Sequence, residues 1–419
     1  MRAGNGEAAQ PGGTRQVPGR GRRSRRGPAW TIVAVLVGGA TALVVHVATG
    51  LTCAGPACRA QPPAPRTGPV AAAATAPVWT GWPGAPAAPM LSPVVRTVLT
   101  PPSGASDIAL GISPDGLRLL SVDDGGAVTE TDLRTGATAP LPLIGAVAGF
   151  PAGTSFGVAI SPDLATVAVA AASDVSVQRV ASGTALDNAP ASLPSLEGTP
   201  GDLALSPDGG WLAFRDGSGN VRLVNVATRS SRLLRTPGLV PAPGPVPSGS
   251  AGGAASIAFS PDGMTLAVGT SDGDIDLWAV STGRLLATLA DPPEGSSAGP
   301  PPVGALAFGE GGALLAAADD NGNVYLWNVA DRDIAGALPG TPATTLTPAY
   351  DIAFSPDGRL LAASFSDDSI GVWSVATGAR LADLPAGQPL LVDPIAFGLG
   401  GSLLVSLHGT AGITEWNLR

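Results

Sequence analysis

Side chains able to do acid–base, nucleophilic or metal chemistry are scarce and scattered in this chain. Its 419 residues include two histidines, His46 and His408, and two cysteines, Cys53 and Cys58. Catalysis needs acids, bases, nucleophiles or ligands that converge. His46 lies within an apolar stretch that has no acidic partner, which suits a neutral imidazole near a membrane interface. His408 stands alone in the repeat-bearing part, where a surface or packing role is expected. No nucleophile elbow of the Gly-x-Ser-x-Gly type and no phosphate-binding loop stands out. Asp319-Asp-Asn-Gly-Asn323 resembles part of a calcium loop, but the distal glutamate is missing and the segment suits a hairpin turn. Cys53 and Cys58 fall short of a zinc ligand set. Outside the cytoplasm they would oxidise, either across the Gly55-Pro56 turn or between neighbouring chains. The expectation is no catalytic residue, no cofactor and no metal.

The residues that recur at fixed spacing are structural in kind. Ile257-Ala-Phe-Ser-Pro-Asp-Gly263 is followed by Ile275-Asp-Leu-Trp278. The interval from the Ser to the Trp position is eighteen residues for Ser113–Thr131, Ser206–Val224, Ser260–Trp278 and Ser355–Trp373. With Gly in place of Ser it recurs for Gly309–Trp327 and Gly398–Trp416, while Ser161–Gln178 is one residue shorter. Seven copies at a period of about 45 residues mark a propeller or solenoid. The fourth copy reads as four short strands: 256–260, 265–269, 274–280 and 284–289. Between the first two, Pro261 fixes φ, Gly263 supplies a positive φ and Asp262 bonds local backbone. The last copy has three such strands, and an orphan strand, Val94–Leu99, precedes the first copy. Pairing the orphan into the last blade would close the ring and remove open sheet edges. The expected fold over 93–419 is all-β, a seven-bladed β-propeller with four antiparallel strands per blade.

Residues 1–28 are expected to form a disordered, Arg-rich cytoplasmic tail. Ala29–Leu51 is apolar throughout and long enough, at about 1.5 Å per residue, to span a bilayer as one helix. Seven Arg against one Glu in residues 1–29 place the N-terminus in the cytoplasm by the positive-inside rule. A cleaved signal peptide is the competing reading, set against an apolar segment that is too long and lacks a small-x-small site. Residues 52–92 form a Pro/Ala-rich linker that cannot bury a core. Its Trp79 and Trp82 have two open roles, docking on the propeller or remaining exposed. The whole chain carries a net charge of −9, so beyond its basic start it is strongly acidic. That balance disfavours nucleic-acid binding, which needs clustered positive charge.

Phe-Ser-Pro-Asp-Gly, then Leu-Ala, then Leu-Trp and Thr-Gly, resembles the WD40-repeat β-propeller family over residues 93–419. Trp278, Trp327, Trp373 and Trp416 match the family's repeat-core tryptophan, and Thr131, Gln178 and Val224 replace it in the first three copies. The family's Gly-His pair is absent, so its His–Ser/Thr–Asp–Trp network cannot form as it does there. The resemblance implies a non-catalytic scaffold or receptor-like platform for protein partners, here on a single-pass membrane anchor with the propeller outside and the chain a monomer. A lactonase-like propeller enzyme is the alternative. The long connections 236–255, 290–302 and 333–347 read equally as binding loops or as tolerated insertions.

Overall fold

The computed structural model describes residues 90–99, 107–113, 115–123, 127–141, 156–171, 174–180, 203–215, 220–235, 256–290, 300–338, 347–385, 394–407 and 413–418. The tail, the apolar stretch 29–51, Cys53, Cys58, Trp79, Trp82 and His408 lie outside them. No helix among the described residues is long and apolar enough to cross a membrane.

Strand β1 (Val94–Leu99) precedes seven antiparallel sheets. Blade 1 holds β2 (Asp107–Ile112), β3 (Arg118–Asp123), β4 (Val128–Asp132) and β5 (Thr138–Leu141). Blade 2 holds β6 (Phe156–Ile160), β7 (Thr166–Ala171) and β8 (Asp174–Arg179). Blade 3 holds β9 (Leu203–Leu205), β10 (Trp211–Arg215), β11 (Val221–Asn225) and β12 (Ser231–Leu234). Blade 4 holds β13 (Ile257–Phe259), β14 (Thr265–Gly269), β15 (Ile275–Ala279) and β16 (Arg284–Leu289). Blade 5 holds β17 (Val303–Phe308), β18 (Leu314–Asp319), β19 (Val324–Asn328) and β20 (Asp333–Leu338). Blade 6 holds β21 (Ala349–Phe354), β22 (Leu360–Phe365), β23 (Ser369–Ser374) and β24 (Arg380–Pro385). Blade 7 holds β25 (Ile395–Gly398), β26 (Leu403–Leu407) and β27 (Ile413–Asn417). Six sheets therefore have four strands once β1 is counted, and blade 2 has three among the described residues.

Closure is as the orphan strand requires. β1 pairs antiparallel with β27, setting Val95 opposite Trp416 and Leu99 opposite Ile413. The first strands line up around the ring: β2 packs on β6, β6 on β9, β9 on β13, β13 on β17, β17 on β21, β21 on β25, and β25 back on β2. The core is divided in the same way, because each sheet is covered on both faces by a neighbour. One apolar cluster lies at each blade junction, from Val122 and Val128 against Leu164 and Val167 at blades 1 and 2, to Leu119 and Leu133 against Leu403 and Ile413 where blade 7 meets blade 1. This burial on both faces explains why the middle strands read as continuous apolar runs such as Leu314-Leu-Ala-Ala-Ala318.

One connection is corrected. The Ala- and Gly-rich stretch from Asp333 reads as a loop, yet Asp333–Leu338 is β20 and pairs along β19, with Gly336 opposite Leu326. Its residues pack on both neighbours, Ala335 and Leu338 toward blade 6 and Ile334 and Ala337 toward blade 4, but three of these four are only partly buried, so composition does not reveal it.

Candidate functional site

The repeated Ser-Pro-Asp builds one turn five times, followed by Gly in four copies and by Leu164 in the fifth, and together these turns rim one face of the ring. In blade 4 the Ser260 hydroxyl donates to Asp262 Oδ1 at 2.6 Å and accepts the Thr265 backbone N–H at 2.9 Å. Asp262 Oδ1 also accepts the Met264 N–H at 2.9 Å, and the Gly263 N–H donates to the Ser260 carbonyl at 2.8 Å. The same set recurs at Ser161/Asp163, Ser206/Asp208 and Ser355/Asp357, and Ser113 with Asp115 repeats it in blade 1. The Ser hydroxyl is thus a structural hinge pin, a role that the sequence reading gave only to Pro, Asp and Gly.

The electrostatics follow from this wiring. Asp115, Asp208 and Asp262 are held below the ordinary carboxylate range, first by the Ser hydroxyl and then by the backbone N–H two residues on. Blade 5 places Glu310 in a short 3-10 turn at the corresponding place, and blade 7 places Leu399 there. The rim therefore carries a carboxylate on every blade but the seventh.

Adjacent turns touch and make a collar. A methyl group on Gly116 (φ +67°) would meet the Leu399 backbone nitrogen at 2.5 Å, and the Leu399 N–H donates to the Gly116 carbonyl at 2.9 Å. Methyls on Gly209 and Gly401 would similarly meet Thr166 Oγ1 at 2.5 Å and Ser355 Cβ at 3.1 Å in the preceding blades. In blade 2 a leucine stands where the glycine should be. Leu164 adopts φ +57° and is buried at the blade 1 junction. A left-handed leucine costs about 1–2 kcal/mol, and burying its side chain returns a similar amount.

The four repeat tryptophans each join the cluster toward the preceding blade: Trp278 toward blade 3, Trp327 toward blade 4, Trp373 toward blade 5 and Trp416 toward blade 6. Thr131, Gln178 and Val224 are likewise buried at their positions. Trp373 meets the Phe365 ring edge-on at 6.3 Å and lies 5.2 Å beneath the Arg380 guanidinium, which pairs with Asp383.

On the opposite side of the strands, Asp319 builds the second-to-third-strand turn. Its Oδ1 accepts the Asn321 and Asn323 N–H groups, both at 2.9 Å, and Oδ2 accepts the Asn323 side-chain amide at 2.8 Å. The calcium-like spelling therefore serves turn geometry. Gly153-Thr-Ser-Phe-Gly157 matches Gly-x-Ser-x-Gly literally; residues 153–155 lie outside the described residues, and Phe156 and Gly157 open strand β6 where such an elbow would open a helix. No group of three or more metal-ligating side chains occurs among the described residues.

One polar group carried no sequence signal. Asp351 on β21 accepts its own neighbour's N–H, from Ile352, at 2.8 Å, and the N–H of Ile395 at the start of β25 at 2.9 Å. It links blade 6 to blade 7, and burial pushes its carboxyl up to about 6. Burial also raises Asp320.

The family model for the WD domain, G-beta repeat, matches residues 246–279, 284–328 and 340–374. Each matched segment ends one residue past a repeat tryptophan, on a third strand of blades 4, 5 and 6. Blades 4 to 6 thus match WD40 repeats, and the seven-bladed ring they sit in is similar to the WD40-repeat β-propeller family. No curated protein matches it. Propellers of this family are typically interaction scaffolds and usually non-catalytic.

Proposed function

We propose that this WD40 propeller is a non-catalytic platform for protein partners at a cell envelope, carried on a single membrane-spanning segment at Ala29–Leu51 with the repeats outside. The observation that carries this reading is how the collar spends its polar groups. The hydroxyls and carboxylates at the turns are aimed at the turns' own amides, so they shape a rigid rim and do not converge on a reacting atom. The long connections from fourth strands to the next first strands leave this rigid scaffold on its other face, and loops on a rigid scaffold are the usual place for binding. The Arg-rich flank before Ala29 supports the orientation. Protease treatment of intact expressing cells, combined with crosslinking, tests both parts. Removal of the propeller by external protease and recovery of discrete crosslinked proteins are expected. A protected propeller would refute the placement. Turnover of a lactone by the purified chain, abolished by chelation, would refute the non-catalytic reading.

A further inference from the structure

The two ends of blades 4, 5 and 6 differ in charge. At the collar end, Asp262, Glu310, Asp331, Asp333 and Asp357 are set among Arg284, Arg332, Arg359 and Arg380. At the other end, each second-to-third-strand turn carries two aspartates: Asp272 and Asp274, Asp319 and Asp320, Asp367 and Asp368. Among the described residues these three blades place no arginine there. The connections 290–299, 339–346 and 386–393, which follow the fourth strands at this end, contain none in their sequence either. Arg215 and Arg235, the arginines described at this end, belong to blade 3.

Turn geometry explains part of the acid. Asp319 caps its own turn, and Asp367 Oδ1 accepts the Ser369 N–H at 3.1 Å. It does not explain Asp320, whose Oδ1 lies 3.3 Å from where a methyl on Gly304 would sit. The Ala349 carbonyl oxygen lies 2.8 Å from that same point, so the carboxylate reaches across β17 to the start of β21 in the next blade. Thr347, just before β21, is 4% exposed, and its hydroxyl makes no hydrogen bond among the described residues. That hydroxyl points at the same turn, 2.8 Å from where a methyl on Gly322 would sit, with the Thr347 carbonyl oxygen 2.6 Å from it. Burial pushes the Asp320 carboxyl up, as expected where no cation offsets the lost water. The junction of blades 5 and 6 thus gathers a carboxylate, two carbonyls and a hydroxyl, all able to accept.

We propose that this end of blades 4 to 6 is the partner-binding face, and that it takes a basic protein segment with an arginine seated between Asp320 and Thr347. The inference rests on the platform reading above and narrows it. A guanidinium is planar, always charged and carries donors alone, which complements a set of acceptors spread across a junction. A metal ion fits less well, because no three metal-ligating side chains gather among the described residues. Asp272 and Asp367, exposed on the flanking blades, draw the rest of the segment in and fix its orientation.

The test uses the full chain in detergent micelles and a fluorescent nona-arginine peptide, read by anisotropy. Binding is expected to weaken about tenfold between about 50 and about 300 mM salt, as exposed charges are screened. Asp272→Asn/Asp320→Asn/Asp367→Asn is expected to weaken it about tenfold. Glu310→Gln/Asp331→Asn/Asp333→Asn, which removes the same charge at the collar end, should change it less than about twofold. Thr347→Val, which alters no charge, should weaken it severalfold. Far-ultraviolet circular dichroism of each variant should match wild type. Equal losses in the two charge variants would mark attraction to an acidic chain at large and overturn the proposal. An unchanged Thr347→Val would overturn the arginine seat, and loss of the peptide to millimolar calcium at matched ionic strength would mark a metal site instead. The chain has no lysine, so a carbodiimide applied to cells joins a partner's amines to this chain's carboxylates. Adducts confined to Asp331 and Asp333 would overturn this face and leave the platform standing, whereas no adduct with any protein would count against the platform itself.

Discussion

Replacing Asp351 by Asn removes a charge that the fold desolvates and keeps one of its two acceptor oxygens. The carboxyl has an ordinary value of 3.8 and is pushed up to about 6 by burial. A shift of about two units corresponds to about 3 kcal/mol between the protonation states, an upper value because the residue keeps partial water contact. The sign follows from proton binding. Between pH 4 and 6 the folded chain holds a proton on Asp351 that the unfolded chain has released, so the contribution is favourable at low pH and is lost as pH rises through about 6. Asn cannot titrate, but its amide faces one of the two N–H donors, at a cost of about 1 kcal/mol. The variant should therefore be less stable than wild type by about 1 kcal/mol below pH 4 and more stable by about 1–2 kcal/mol above pH 6.5. Urea unfolding of both proteins in steps from pH 3.5 to 7.5 measures the difference, from which the other carboxylates cancel because both proteins share them. Parallel stability curves across that window would refute the reasoning, since they would mean that the Asp351 charge is not desolvated by the junction of blades 6 and 7.

The collar makes two further predictions. Gly116→Ala should cost about 2–4 kcal/mol, combining a left-handed alanine with a methyl driven into the Leu399 backbone. Gly136→Ala, at φ +72° with nothing within 4 Å, should cost about 1 kcal/mol, and equal losses in thermal melts of the pair would show that the turns do not touch. Ser260→Ala should cost about 1–3 kcal/mol by stranding the Thr265 N–H, and should move the Asp262 carboxyl back up toward 3.8. An Asp262 titration unchanged by the substitution in carbon-detected NMR would mean that the hydroxyl is not what holds it down.

What could be read in the sequence follows the range of the interaction. The turn wiring joins residues at most five apart, so a Ser two residues before an Asp announces it, and the fifth residue on supplies only a backbone N–H, from Arg118, Thr166, Trp211, Thr265 or Leu360. The ring's size and closure were also legible, because the eighteen-residue interval counts the blades and Val94–Leu99 matches the strand that the last copy lacks. Asp351 was illegible, because its partner Ile395 lies forty-four residues away and its raised carboxyl comes from burial at a junction between sheets. β20 was hidden for a different reason. Its Asp-Ile-Ala-Gly-Ala-Leu has no strong alternation, and pairing with β19 is supplied by the blade and not by propensity. Leu164 departs from the motif in plain view, but only the packed junction shows why the departure is tolerated.

The missing Gly-His pair shifts the work of holding these blades from a polar network to packing. Trp416 keeps a polar tie, its Nε1–H donating to Ser406 at 2.9 Å. Trp278 is 5% exposed and its indole N–H has no partner among the described residues. A stranded donor of this kind costs about 1–3 kcal/mol, and the ring is retained because burying an indole against blade 3 is worth at least as much. At Thr131, Gln178 and Val224 smaller side chains fill the position, and the junctions of the first three blades rely on Leu and Val. Stability is thus spread over seven similar apolar junctions, to which Asp351 adds a polar tie between blades 6 and 7. That arrangement lets the Ser–Asp turns repeat without regard to the loops opposite them, and it leaves the connecting loops free to differ from blade to blade.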